Sequence, residues 1–248
     1  MKNCHVLTLF PGFFSSPLSE TLLKRAREKG ALDVSLVDIR GFTEGRHKTA
    51  DDAPYGGGAG MVLKPEPIFR AVEAVRRSSQ AEVRVVLLSP QGKLFSQETA
   101  REYAENPKDL VLICGRYEGV DERVAAHLAD EELSIGDYVL SGGEAPALVV
   151  LEAVARLLPG VLGAEESARQ DSFSEHGILD HPHYTRPPEF EGMKVPDVLL
   201  SGNHEEIRKW RRREALRKTL AARPDLLARA SLTEEDKRIL KDLEAESS

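Results

Sequence analysis

The sequence predicts an α/β fold, a mainly parallel sheet with helices on both faces, followed by a small all-α C-terminal domain. Three observations carry that prediction. Short apolar runs alternate with segments of helical period over residues 5–158, the order of repeating βα units. Three glycine-punctuated loops, Ser89-Pro90-Gln91-Gly92, Gly115-Arg116-Tyr117-Glu118-Gly119 and Ser141-Gly142-Gly143, each follow an apolar run. After Pro159-Gly160 the alternation stops, and helical patterns resume only beyond a polar stretch.

Taken in order, His5 to Phe10 reads as a first strand closed by Pro11-Gly12. Ser16-Pro17 is a good helix start, with proline at the first helical position, and Leu18, Leu22, Leu23 and Ala26 form one apolar face ended by Gly30. Leu32 to Ile39 is a second strand. From Gly41 to Gly60 no period is visible, and loops of that length in compact domains are usually functional or disordered; this one ends in Tyr55-Gly56-Gly57-Gly58-Ala59-Gly60. Ile68, Phe69, Val72 and Val75 mark a helix, Val83 to Leu88 a strand, and Ser96 the cap of a helix to about Ala104. Leu110 to Cys114 is an apolar strand, Val120 to Leu128 a helix, Ile135 to Leu140 another strand, and Ala147 to Leu158 a helix with Glu152 and Arg156 one turn apart on its polar side.

A first domain therefore spans residues 1–162, a polar linker 163–177 and a helical domain 178–248. In the last, Asn203 with Glu206 resembles a capping box opening a basic helix, Pro224 ends that helix or begins the next, and Thr233 starts a final amphipathic helix through Ile239 and Leu243.

With 248 residues and 41% hydrophobic content, the chain has ample material for a packed core. It contains no apolar run of membrane-spanning length, and its amino terminus lacks the order of a signal peptide, so the cytoplasm is the expected location. Cys4 and Cys114 both sit inside apolar runs, which predicts buried free thiols and no structural zinc. The net charge of −7 argues against a uniformly basic nucleic-acid binder, yet residues 207–223 hold Arg208, Lys209, Arg211, Arg212, Arg213, Arg217, Lys218 and Arg223 against the single acid Glu214.

In open α/β sheets, ligands bind where loops gather at the carboxyl ends of strands, so a bound small molecule is the first functional expectation. The phosphate-cradling signatures of kinases, GTPases and dehydrogenases are absent, and Gly56 to Gly60 follows a loop rather than a strand. For Arg116, Tyr117 and Glu118 the plain alternative is a solvated turn; three such loops in one sheet favour binding. His181-Pro182-His183 has no cysteine pair or helical histidine pair nearby and reads as a rigid polar loop. By spacing alone Glu152 and Arg156 are an exposed helical pair and Asp171 a linker acid. The basic helix exceeds what solubility requires, with Trp210 and Ile207 able to anchor it, and contact with an RNA or DNA backbone is the better reading. A non-catalytic RNA-binding module and a dinucleotide-dependent oxidoreductase are the competing classes.

A set of longer motifs goes further. The chain closely resembles the bacterial tRNA (guanine-N1)-methyltransferases through Leu9-Phe10-Pro11, Arg46-His47-Lys48-Thr49 with Asp51-Asp52, Pro54-Tyr55-Gly56-Gly57-Gly58, Gly60-Met61, Leu88-Ser89-Pro90-Gln91-Gly92, Cys114 to Gly119, Ser134 to Glu144, Asp171-Ser172-Phe173, Pro182 to Pro187 and Leu199 to His204. That resemblance implies methylation of the guanosine 3′ of the anticodon with S-adenosylmethionine, a trefoil knot in the first domain and a homodimer with shared active sites. It also implies cofactor contacts from Leu88, Ser89, Pro90, Gln91, Gly115, Tyr117, Glu118, Ser134, Ile135, Gly136, Asp137, Tyr138, Val139, Leu140, Gly142, Gly143 and Pro146. By the same resemblance Asp171 is the general base and Arg156 stabilises charge on guanine O6, while magnesium (Mg2+) is required near Glu118 and Asp171. Tyr55, Gly56, Gly57, Gly58 and Gly60 line the guanosine pocket with Asp180, and Arg208, Arg211, Arg212 and Arg213 contact the anticodon stem-loop of tRNA. The linker is expected to become ordered on the tRNA and close the site. One departure stands out: the loop from Asp171 to Asp180 is one residue longer than the family pattern, with His176-Gly177 in its middle, which leaves the role of Asp180 open.

Overall fold

The computed structural model describes residues 3–163, 171–174 and 177–246, and the chain divides into two compact units, Met1–Gly163 and Ala164–Ser248. In the first unit the strands are β1 (Asn3–Thr8), β2 (Asp33–Asp38), β3 (Asp51–Asp52), β4 (Val62–Leu63), β5 (Val83–Leu94), β6 (Asp109–Cys114) and β7 (Glu131–Ser134). Five of them form one sheet in the order β2-β1-β6-β5-β7, with every pairing parallel. The helices are α1 (Thr21–Glu28), α2 (Pro65–Ser78), α3 (Gln97–Glu105), α4 (Glu122–His127) and α5 (Glu144–Ala155).

The central strand β6 is buried at all six positions, which is why its sequence is continuously apolar after Asp109. Its alternate residues feed two cores. Leu110, Leu112 and Cys114 join Leu23 and Ala26 of α1, Tyr103 of α3 and Val150, Leu151 and Val154 of α5. Val111 and Ile113 join Ile68, Val72 and Val75 of α2 and Val124 of α4 on the other face. Each large aliphatic side chain so buried contributes about 1.5–3 kcal/mol. Cys4 and Cys114 are free and buried, and desolvation pushes both thiols well above their ordinary pKa.

The structure corrects the local reading in several places. Ile135 to Leu140 is not a strand: β7 is the preceding segment Glu131–Ser134, and the apolar residues beyond it form a loop. Ser89 to Gly92 does not end β5 but bulges within it, since Leu88 and Lys93 both pair with Leu133. Gly92 is required there, because a methyl group on it would collide with the backbone of Glu132 and Leu133. Ser16-Pro17 opens a single 3-10 turn, Pro17–Ser19, and the α-helix begins only at Thr21. The long loop Gly41–Gly60 holds one short pairing, Asp51–Asp52 against Val62–Leu63. Ser96 does cap α3, accepting the Thr99 N–H at 3.3 Å.

The second unit is not purely helical. A small antiparallel hairpin, Glu189–Phe190 with Met193–Lys194, precedes helices α6 (Asp197–Leu200), α7 (His204–Ala222), α8 (Pro224–Leu227) and α9 (Glu234–Glu246). Its core is Ile178, Ala215, Leu216 and Leu243, packed by Leu220, Ile239 and Leu240. The capping box expected at Asn203 is half formed. Asn203 accepts the Glu206 N–H at 3.3 Å, but Glu206 turns to Lys209 and the Asn203 N–H goes to Ser201. The complete box lies at Thr233, where Thr233 N–H donates to Asp236 at 2.8 Å and Asp236 N–H to the Thr233 hydroxyl at 3.2 Å. No described helix is long and apolar enough to cross a membrane.

Candidate functional site

At the carboxyl ends of β6 and β7, beside the bulge of β5, the first unit holds a crevice of about 310 Å³. Its lining brings together Leu88, Ser89, Pro90, Gln91, Gly115, Tyr117, Glu118, Ser134, Ile135, Gly136, Tyr138, Val139, Leu140, Gly142, Gly143 and Pro146. Asp137 alone among the expected cofactor residues stays out of it. Three loops form the walls because the strands that carry them are neighbours in the sheet. Gly143 lies against β6, its N–H donating to Gly115 O at 2.9 Å, and a methyl group there would sit 2.6 Å from Cys114 Cα. Only glycine allows that close approach. Tyr117 adopts a left-handed conformation (φ 60°) inside the turn closed by Gly119 N–H to Arg116 O, a strain characteristic of binding loops.

Behind the crevice is a polar assembly that the motifs contained without revealing. Glu144, the first residue of α5, is only 1% exposed. It accepts the Thr8 hydroxyl at 2.7 Å and Arg116 Nε at 3.1 Å, and the Arg116 guanidinium lies 4.5 Å from the centre of the Phe10 ring. One buried carboxylate thus ties the end of β1, the loop after β6 and the start of α5. Position relative to a helix start is the signal that could have found it: an acid directly after Gly142-Gly143 faces the positive end of the helix.

The glycine-rich segment reaches this site too. Glu118 N–H donates to Met61 O at 3.1 Å, and Leu63 N–H to Gly119 O at 3.0 Å, so residues 61–63 run beside the loop of Glu118. A side chain on Gly60 would strike the Glu118 carboxylate. Gly56, Gly57, Gly58 and Gly60 all have positive φ, and Tyr55 at their start is fully exposed.

Other expected residues lie elsewhere. Arg156 caps the C-terminus of α5, where its N–H donates to Glu152 O at 3.4 Å, and it does not line the crevice. Asp171 and Asp180 belong to the second unit, where they line a cavity of about 620 Å³ with Arg208, Arg211 and Arg212. Most of the linker, 164–170 and 175–176, lies outside the described residues, and so does the expectation that it orders over the site.

The basic helix differs from its sequence reading. Arg208 pairs with Glu205, Lys209 with Glu205 and Glu206, Arg213 with Glu246, Arg217 with Glu214 and Glu246, and Arg223 with Asp225. Arg212 makes a two-pronged bond to the buried Asp236 at 2.6 and 2.7 Å. Burial alone would push the Asp236 carboxyl upward, but the guanidinium and the Thr233 donors outweigh it and hold it at about 2. Only Arg211 and Lys218 of the eight lack an acidic partner among the described residues. Apart from Glu214, these acids lie outside the 207–223 window: Glu205 and Glu206 in the first turn of α7, Asp225 in α8, and Asp236 and Glu246 in α9.

Comparison with known proteins bears on what this crevice is for. A sequence profile described as tRNA (Guanine-1)-methyltransferase TrmD matches residues 1–229. The chain belongs to that methyltransferase family. It is 57% identical to the tRNA (guanine-N(1)-)-methyltransferase of Geobacillus kaustophilus over 97% of its own length and 98% of that protein. The protein of the same name from Dictyoglomus turgidum is 53% identical over 99% of this chain and 98% of its own, and that of Moorella thermoacetica is 55% identical over 96% and 95%.

Proposed function

We propose that this protein transfers a methyl group from S-adenosylmethionine to N1 of the guanosine 3′ of the anticodon in tRNA, in the cytoplasm. The observation that carries the reading is the glycine-lined crevice at the strand ends, in a chain of this family. When bound, S-adenosylmethionine supplies an electrophilic methyl carbon on a sulfonium. The crevice suits such a ligand: backbone donors and acceptors of the three loops are available to an adenine edge, and the carboxylate of Glu118 to the cationic end. Trefoil knotting of these loops fits the close approach of Gly143 to Cys114.

Guanine N1 carries a proton and offers no lone pair until it leaves. Asp171 takes that proton, the N1 lone pair forms the new N–C bond, and the C–S bond electrons stay on sulfur. Arg156 holds the negative charge that gathers on O6. Tyr55 to Gly60 line the pocket of the guanine beside Glu118. Since Arg156 does not line its own chain's crevice, the site is completed in a homodimer, a reading supported by the exposed apolar side chains of Tyr138, Val139 (90% exposed) and Leu140 at the crevice. Glu118 and Asp171 offer hard oxygen ligands suited to Mg2+, which binds through one or two carboxylates with water and substrate oxygens and would supply charge neutralisation. Arg211 and Lys218 are left for the phosphates of the anticodon stem-loop.

The test is transfer of labelled methyl from S-adenosylmethionine to an unmodified tRNA transcript, alongside one with adenosine at the target position. Label on the first transcript only is the expected result. Tight tRNA binding without transfer would reduce the protein to a binding module, and nicotinamide binding in the crevice would make it an oxidoreductase.

A further inference from the structure

We propose that Asp180, His181 and His183 form a binding site for a divalent cation of the zinc class, with two imidazole nitrogens and one carboxylate oxygen as ligands. The sequence argued against zinc because His181-Pro182-His183 has no cysteine pair or helical histidine pair nearby, and the adjacent Asp180 was not counted as a ligand. The fold supplies it: one ligand atom from each of the three residues lies within 4.8 Å of the others.

The geometry around these atoms is specific. His181 Nδ1 is 3.1 Å from the carbonyl oxygen of Pro182. A carbonyl only accepts, so a ring proton sits on Nδ1 and donates there, and in the neutral form of the ring Nε2 is the nitrogen that presents a lone pair. That Nε2 faces Asp180 Oδ1 at 3.7 Å. In that neutral form two electron-rich atoms stand 3.7 Å apart, and a metal ion bound between them would satisfy both, as a second ring proton otherwise would. On the other oxygen, His183 Nε2 lies 2.8 Å from Asp180 Oδ2, and the two rings stand 4.4 Å apart. The carboxylate is itself held in place, accepting the His181 N–H at 2.7 Å, while Asp180 N–H donates to Ser172 Oγ at 3.0 Å. A ring nitrogen fixed by a backbone carbonyl, with the opposite nitrogen left free, is the arrangement by which proteins orient metal-binding histidines.

The ligand set chooses the metal. Two imidazoles and one carboxylate suit Zn2+ and its neighbours, whereas Mg2+ and Ca2+ take oxygen ligands. The exposed side of His183 leaves room for water as a fourth ligand. A cation here would displace the proton shared by His183 and Asp180, and would pin residues 180–183 as one unit.

The probe is Zn2+ itself, titrated by calorimetry into chelator-treated, full-length protein without a histidine tag, with Co2+ absorption reporting coordination. One Zn2+ per chain is expected, undisturbed by millimolar Mg2+, with affinity lowered by about 100-fold or more in His183→Ala and in Asp180→Asn. His183 is exposed, so its variant tests the site even if His181→Ala fails to fold. Equal Zn2+ binding by wild type and His183→Ala, no Zn2+ binding by wild type, or displacement by Mg2+ would each overturn the assignment.

Discussion

The crevice of the first unit and the basic helix of the second are built by different means. The crevice is a backbone construction: Gly92 and Gly143 sit where a side chain would strike neighbouring backbone, Gly60 where it would meet the Glu118 side chain, and the buried carboxylate of Glu144 braces the loops. The helix is a side-chain construction in which six of eight cations are matched by acids, most of them exposed. Exposed pairs of that kind are each worth less than about 1 kcal/mol and exchange readily for phosphate. A packed backbone site holds one shape; a lattice of surface pairs can yield to a larger polyanion.

The strongest test of this contrast separates holding a cofactor from doing chemistry. If the crevice only holds the methyl donor, Asp171→Asn should slow single-turnover methyl transfer by about 10²- to 10⁴-fold, or about 3–5 kcal/mol of barrier, and leave S-adenosylmethionine affinity unchanged. A near-normal single-turnover rate would place proton removal elsewhere.

Next in size is the brace. Glu144→Ala strips Arg116 of its carboxylate and Thr8 of its acceptor, and should cost about 2–3 kcal/mol of stability in urea unfolding, with weaker cofactor binding. Glu144→Gln keeps the shape and the Thr8 bond and should lose about half as much. Equal, negligible losses in both would mean that the backbone holds the crevice unaided.

How far each region could be read from sequence follows from the same difference. The strand Leu110–Cys114 was legible because burial on both faces leaves a continuous apolar run, and the three loops because glycine marks close approach. Ile135–Leu140 misled for a related reason: its apolar residues line a crevice or stand at the surface instead of filling a sheet. Glu144 was passed over: its place at a helix start marks an acid suited to the helix's positive end, but nothing local says that it is buried. The pairing of the helix charges was missed because Glu205, Glu206 and Asp225 fall just outside the 207–223 window and Asp236 and Glu246 reach it from another helix, and Asp180 escaped notice as a partner of His181 and His183 because convergence in a loop has no spacing rule. A family likeness named Asp171 and Arg156; no periodicity would have.

The pairing of α7 with α9 gives a pH signature. Asp236 is held at about 2 in the folded chain against its ordinary 3.8. The folded state therefore binds this proton less readily than the unfolded one, and the pair's contribution, about 2 kcal/mol, is complete above about pH 4 and lost as pH falls toward 2. Urea midpoints between pH 5 and pH 2 should show that component in the wild type and lack it in Asp236→Asn. A slope identical in both would return the interaction to the level of a surface pair.

The smallest expected effect is the most discriminating for the helix. Arg211 lines the cavity of the second unit that holds Asp171 and Asp180 and has no acidic partner among the described residues, while Arg212 is committed to Asp236. A phosphate contact made by Arg211 releases about one counterion, so Arg211→Ala should weaken tRNA binding a few-fold and reduce the slope of log affinity against log salt by about 1. Arg212→Ala should instead lower stability, because it leaves a buried carboxylate alone. Should the salt slope be unchanged in Arg211→Ala yet fall in Arg208→Ala or Arg213→Ala, the paired cations would be the ones that face RNA, their carboxylates serving as placeholders for phosphate. The free cation would then be an ornament of the surface, and the side-chain region would be as preorganised as the backbone one.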